Sequence, residues 1–295
     1  MAKVRDILLE TKKLLQSYNI AAYALEAELL LAKAIGKFIE RRDLILILED
    51  SVSTAVENKI NDMIKLRQRN MPVAYILGKK HFWNFDFDVT QDVLIPRPET
   101  ELIVDLALKY VEQGKISVQK NNLMQILDLG IGSGCLLLTI LKEFCQRDID
   151  ATGIGVDISP EAISVAKENA KKLYLDEYIE FYVSDWWEKI DTDRQFDFIV
   201  SNPPYISSSE WKNLMPDVRD YEPMIALTDN ADGLTHYRVI SEKLPRHMHS
   251  NSIAFFECGY MQAERVIQIF EHNNLHIIEV VKDLNGIDRV IAVKL

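Results

Sequence analysis

With 295 residues, 48% hydrophobic and 27% charged, the chain has the make-up of an ordinary globular protein rather than a disordered or fibrous one, with room for one large α/β domain and a small accessory domain. A net charge of −11 argues against broad, sequence-independent attachment to nucleic acid, which works by neutralising phosphates. No apolar run reaches the length of a membrane span, the first residues soon carry acid, and Cys135, Cys145 and Cys258 form no C-x-x-C pair, so the expectation is a cytoplasmic protein with reduced cysteines, no membrane partner and no metal.

Residues 3 to about 70 read as helices. Val4, Ile7, Leu8, Leu14 and Leu15 recur at helical spacing, as do Leu25, Leu29 and Leu30, and a more polar helix over 55–69 carries Ile60, Met63, Ile64 and Leu66. Gly36 and Pro72 are natural stops, and the predicted helical bundle occupies 1–80, a possible docking domain for a substrate. From His81 the period changes to two: Phe85, Phe87 and Val89 alternate with Asp86, Asp88 and Thr90, which predicts a β-hairpin linker over 81–97 with Asn84 near its turn. Pro98 and the acids after it suit the first turn of a helix running to about Glu112, and the polar stretch 113–122 reads as a connector.

The remaining domain, 98–295, alternates strand and helix. Strands are predicted over 126–129, 153–157, 179–183, 196–201, 252–257, 276–281 and 288–293, with helices over 134–144 and 160–173 among them. Such alternation predicts an α/β fold with a mostly parallel seven-stranded sheet and helices on both faces, in which ligands bind outside the carboxyl ends of the strands.

Four of those ends carry binding chemistry. The first strand runs into Gly130, Ile131, Gly132, Ser133 and Gly134, where glycine lets the backbone turn sharply and approach a ligand. A dinucleotide pattern needs glycine where this chain has Cys135, which counts against a nicotinamide or flavin enzyme. Asp157 ends the second strand at the spacing of a carboxylate that binds ribose hydroxyls; as a helix cap it is second to Ser159, which precedes Pro160. After the third strand, Asp185 can accept from the exocyclic amine of an adenine with Trp186 near the ring, while Trp187 reads equally well as core. The fourth strand stops in Asn202-Pro203-Pro204-Tyr205, a stiff segment without proline N–H groups. There the Asn202 side-chain oxygen and the Pro203 carbonyl can take the two N–H bonds of an amide or amino group, with Tyr205 as an apolar wall; the competing reading is a plain strand-ending turn.

These residues resemble the release-factor glutamine N5-methyltransferase family (PrmC/HemK type) of class I S-adenosylmethionine-dependent methyltransferases. The resemblance runs through Tyr75-Ile76-Leu77-Gly78, Ile95-Pro96-Arg97-Pro98-Glu99-Thr100-Glu101, Asp128-Leu129-Gly130, Asn202-Pro203-Pro204-Tyr205, Glu222-Pro223, Asp232-Gly233-Leu234, Tyr237-Arg238 and Asp288-Arg289. It implies a Rossmann-like domain and S-adenosylmethionine as cofactor, with S-adenosylhomocysteine as product. It further implies that the acceptor is the glutamine of the Gly-Gly-Gln motif in class 1 peptide chain release factors, with no direct nucleic-acid partner. On this reading Asn202, Pro203 and Tyr205 are catalytic, Pro204 and Arg97 also contact the protein substrate, and residues 130–134, Asp157, Asp185, Trp186 and Asn202 hold the cofactor. The competing functions are glutamine methylation of a ribosomal protein, amino-methylation of nucleic acid, and a non-catalytic cofactor-binding scaffold.

Overall fold

Seven strands rich in Val, Ile, Leu and Phe pair into one sheet in a computed structural model that describes residues 2–36, 39–116 and 123–295. After a hairpin of β1 (Lys79–Phe82) and β2 (Phe85–Asp88), they are β3 (Met124–Leu129), β4 (Ala151–Asp157), β5 (Ile179–Val183), β6 (Phe196–Ser201), β7 (Met248–Glu257), β8 (His276–Lys282) and β9 (Asp288–Lys294). The sheet order is β5-β4-β3-β6-β7-β9-β8, parallel from β5 through β7 and antiparallel at β7/β9 and β9/β8. β3, β6 and β7 are buried along most of their length, as strands covered on both faces must be.

Strand alternation divides the core. Ile126, Phe198, Val200 and Phe255 pack with Leu137, Phe144 and Tyr110 on one face, while Leu127, Leu129, Ile199 and Phe256 pack with Tyr237, Ile240 and Phe270 on the other. The helices supplying the first face are Glu101–Glu112, Cys135–Cys145 and Pro160–Lys172; those supplying the second are Thr235–Lys243 and Ala263–His272. Both of the latter are amphipathic helices that the strand-and-turn reading passes over. The predicted helix at Pro98 begins instead as a 3-10 turn, Pro98–Thr100, and becomes α-helical at Glu101. β7 starts at Met248, earlier than predicted, because the Ser252 hydroxyl, buried among apolar neighbours, donates to the Phe196 carbonyl at 2.6 Å and ties the polar start of the strand to β6. In the hairpin it is Trp83, at φ 55°, that takes the left-handed turn position; its backbone N–H donates to Glu101 and its indole N–H to Glu143. Of the predicted connector, residues 117–122 lie outside the described ones.

By compactness the chain divides into Met1–Lys79 with Met215–Tyr221, and Lys80–Leu214 with Glu222–Leu295. The first unit is helical: Val4–Ser17, Tyr23–Ile35 and Thr54–Gln68 enclose Val4, Leu15, Leu30, Leu31 and Ile60, and Ser53 caps the third helix by accepting from the Val56 N–H. Inside it, Arg67 and Glu26 pair at 2.7 Å with little solvent access, and the Tyr221 hydroxyl donates to the Arg69 carbonyl. No helix among the described residues is long and apolar enough to cross a membrane.

Candidate functional site

β3 runs on to β4 on one side while its other neighbour, β6, runs on to β7 in the opposite direction, so a crevice opens at their adjacent carboxyl ends. A cavity of about 270 Å³ fills it, lined entirely by the second unit. Gly130, Gly132 and Gly134 have φ of 81°, 54° and 83°, the left-handed values that favour glycine, and this coils the loop tightly after β3. The Gly130 and Ile131 N–H groups both donate to the Val156 carbonyl at 2.9 Å, anchoring the loop to β4. Ser133 is held from behind, its carbonyl accepting from the buried Asn169 amide at 2.8 Å, while Asn169 Oδ1 accepts from the Asp88 N–H of the hairpin.

Asp157 closes this loop. One carboxylate oxygen accepts from the Gly132 N–H at 2.9 Å and the other from the Ser159 N–H at 3.0 Å, with the Ile158 N–H also directed at the carboxylate, and acceptor capacity is left for a ligand. Burial pushes the Asp157 carboxyl above the usual aspartate range, against the pull of these N–H donors. Ser159 caps the next helix, accepting from the Ala162 N–H, so Asp157 is spared that duty. At the end of β5, Asp185 and Trp186 line the cavity; Trp186 sits at φ 47°, its ring beside Gly130 and 5.1 Å from that of His236. Trp187 turns the other way and stacks on His247 at 4.5 Å inside the core.

The end of β6 is tied to β3 by the Ser201 hydroxyl, which donates to the Leu129 carbonyl at 2.6 Å. The Asn202 Nδ2 then donates to Thr100 Oγ1 at 3.0 Å, Thr100 Oγ1 donates to Glu257 Oε2 at 2.5 Å, and the Tyr205 hydroxyl donates to Glu257 Oε1 at 3.3 Å. Thr100 and Glu257 are both almost fully buried, and burial pushes the Glu257 carboxyl up to about 7. The Tyr205 carbonyl accepts from Gln262 Nε2 at 2.7 Å. Arg97 lines the cavity while its guanidinium donates to the buried Glu222 at 2.7 Å, and Glu222 also accepts from the Ile95 N–H.

Of the predicted site residues, the cavity brings together Arg97, Gly130, Ile131, Gly132, Ser133, Asp157, Asp185, Trp186, Asn202 and Pro204. Gly134, Pro203 and Tyr205 are outside its lining: Gly134 caps the following helix, Pro203 is buried, and the Tyr205 hydroxyl is turned onto Glu257. Sequence reasoning misses Thr100, Glu257, His236 and Asp128. Asp128 lines the cavity, is 1% exposed, and its Oδ2 has no hydrogen-bond partner among the described residues; burial pushes its carboxyl up to about 8. No local pattern marks Thr100 or Glu257, because their bonds join residues 102 and 157 positions apart. Among the described residues no group of three or more His, Cys, Asp and Glu is placed to hold a metal ion.

Residues 6–78 match the family model described as the PrmC N-terminal domain, and residues 120–274 match that of a methyltransferase domain. The chain is 36% identical over 291 residues to a release factor glutamine methyltransferase of Agrobacterium fabrum, an alignment covering 99% of this chain and 97% of that one. The chain belongs to the release factor glutamine methyltransferase family. A member from Fusobacterium nucleatum is 40% identical over 81% of this chain, and a bifunctional methyltransferase of Rickettsia conorii is 34% identical over 98%. This chain spans 64% and 57% of the length of those two relatives. Its methyltransferase fold extends beyond the release factor glutamine methyltransferase family: the hMettl16 catalytic domain superposes with a TM-score of 0.54 at 13% identity, covering 78% of this chain and 81% of that one.

Proposed function

We propose that this chain transfers a methyl group from S-adenosylmethionine to the side-chain amide nitrogen of the glutamine in the Gly-Gly-Gln motif of class 1 peptide chain release factors, in the cytoplasm. The observation that carries this reading is the Asn202 carboxamide: its amino end is committed to Thr100, so its oxygen is the atom left to accept from a substrate at the cavity.

The residues present fit the cofactor. Asp128 Oδ2 is a buried acceptor without a donor, suited to an ammonium group, and the glycine loop leaves room for close backbone approach. Asp157 would take the ribose hydroxyls, Asp185 the adenine amine, and Trp186 would flank the ring. When bound, S-adenosylmethionine supplies an electrophilic methyl carbon and leaves as S-adenosylhomocysteine. Asn202 Oδ1 would accept from one amide N–H, orient the nitrogen, and stabilise the positive charge that develops on it until the nitrogen releases its proton. Arg97, fixed by Glu222, would contact the release factor at the cavity mouth, and the unit containing residues 6–78 would add docking surface.

Mass spectrometry of release factor incubated with enzyme and S-adenosylmethionine is expected to place one added methyl on that glutamine. Methylation of a ribosomal protein offered in parallel, with release factor untouched, would overturn the substrate assignment. Asp157→Ala is expected to weaken S-adenosylmethionine binding about tenfold or more, the worth of a charge-assisted hydrogen bond. Calorimetry reads this directly, and an unchanged Kd removes Asp157 from the ribose site.

A further inference from the structure

Asn202 is useful to an amide substrate in only one of its two flip states. With oxygen toward the cavity it accepts from the substrate N–H; flipped, it presents its own N–H bonds and opposes them. Asn202 itself has no preference between these states, so something beside it must choose. Thr100 Oγ1 has a single proton, and that proton goes to Glu257 Oε2 at 2.5 Å. Toward Asn202, 3.0 Å away, the hydroxyl is therefore an acceptor and draws the amino end.

We propose that Glu257, acting through Thr100, is the positioning residue that sets which end of the Asn202 carboxamide faces the cavity. The inference rests on the reading of Asn202 as the amide-binding group. The direction of the relay depends on the carboxylate being ionised. A protonated Glu257 can donate to Thr100, which frees the Thr100 proton for Asn202 Oδ1 and stabilises the unproductive flip.

Desolvation is the main reason the Glu257 carboxyl is pushed up to about 7, opposed by the Thr100 and Tyr205 hydroxyls and by Arg289, and reinforced by Glu99. Tyr237, Cys135 and Cys258 also face it, and burial raises their pKa values so that they stay neutral in this range. Ionisation of Glu257 therefore falls within the working pH range, and kcat should rise with pH through about 7. Asp128, pushed up to about 8 in the free protein, lines the same cavity; beside the ammonium group of a bound cofactor it is held ionised, so its titration belongs to kcat/KM and not to kcat.

The test is steady-state methylation of release factor across pH by wild type, Glu257→Gln, Thr100→Val and Thr100→Ser. Glutamine can satisfy Thr100 and Tyr205 with either end and so does not enforce a direction. The expected result for Glu257→Gln and Thr100→Val is a kcat lower by about 10–100-fold, as for other groups that orient a functional side chain, with KM for S-adenosylmethionine and affinity for S-adenosylhomocysteine unchanged. Glu257→Gln should also lose the step in kcat near pH 7, and Thr100→Ser should restore activity. As a readout independent of turnover, the side-chain amide resonances of Asn202 in asparagine-labelled protein should shift as pH passes 7 in wild type and not in Thr100→Val.

Wild-type kcat in either Glu257→Gln or Thr100→Val overturns the proposal. So does a fall in melting temperature with no change in kcat per folded enzyme. Should wild type fail to methylate release factor at all, the substrate assignment falls, while the Asn202 resonances still report whether Glu257 sets the flip.

Discussion

Asn202→Ala is expected to lower kcat for release-factor methylation by about 10²–10³-fold, the usual worth of one preorganised polar contact to a reacting group. Cofactor binding should be largely kept, because the glycine loop, Asp157 and Asp185 come from other strand ends. The size of the effect follows from the poor nucleophilicity of an amide nitrogen: its N–H is far too weakly acidic for a carboxylate or imidazole to remove beforehand, so alignment and charge stabilisation must supply the rate. Truncation to alanine also leaves the Thr100 hydroxyl without its donor, so Asn202→Asp is a useful companion: it keeps the shape, removes the amino end, and adds to Glu99 a further carboxylate near Glu257. Both variants should fold, since Asn202 is only partly buried and β6 is held by its own ladder and by Ser201. Turnover of Asn202→Ala at the wild-type rate would end the assignment of Asn202 as the amide-binding residue.

Gly233→Ala should be among the most damaging single-methyl additions to the chain. Gly233 has φ +79°, and a Cβ there would lie 2.4 Å from the Tyr205 carbonyl oxygen and 2.7 Å from Gln262 Nε2. The turn cannot move away freely, because Asp229 accepts from the N–H groups of Ala231, Gly233 and Thr235. Left-handed backbone costs a residue with a Cβ about 1–2 kcal/mol, and forced displacement of packed neighbours adds about 1–3 kcal/mol. The backbone that must give way belongs to the segment carrying Asn202, so kcat should fall along with stability. Gly286→Ala separates the two contributions, since Gly286 has φ +80° with nothing within 4 Å of the added carbon. Urea unfolding should show Gly233→Ala the less stable of the pair, and Gly286→Ala should methylate normally. Equal stabilities would mean that the Gly233 turn does not press on Tyr205 as drawn.

Much of the fold is legible because it is written locally. The apolar runs of β3 and β6 have to be buried on both faces, and the three left-handed glycines after β3 mark a coil that other residues resist. Ser159 before Pro160 announces its own helix start, and the structure shows it capping. The helix Ala263–His272 is there to be read, with Ala263, Val266, Ile267 and Phe270 at helical spacing, whereas Thr235–Lys243 is more polar; the place of both on the sheet is fixed by Tyr237, Ile240, Val266 and Phe270 packing with Phe256. Trp186 and Trp187 make the limit plain. The sequence presents two adjacent indoles, and only the backbone turn at Trp186 sends one to the cavity and the other to the core.

What the sequence determined by itself is the inventory and its order along the chain: glycine coil, Asp157, Asp185 and Asn202, each at a strand end, and a corner stiffened by two prolines. Those properties depend on near neighbours, through φ restriction, strand period and capping. The tertiary structure decided where the amino end of the Asn202 carboxamide goes, onto Thr100. That direction depends on where one hydroxyl proton points, and Thr100 reaches Glu257 only after strands distant in sequence have been laid side by side and water has been driven from between them.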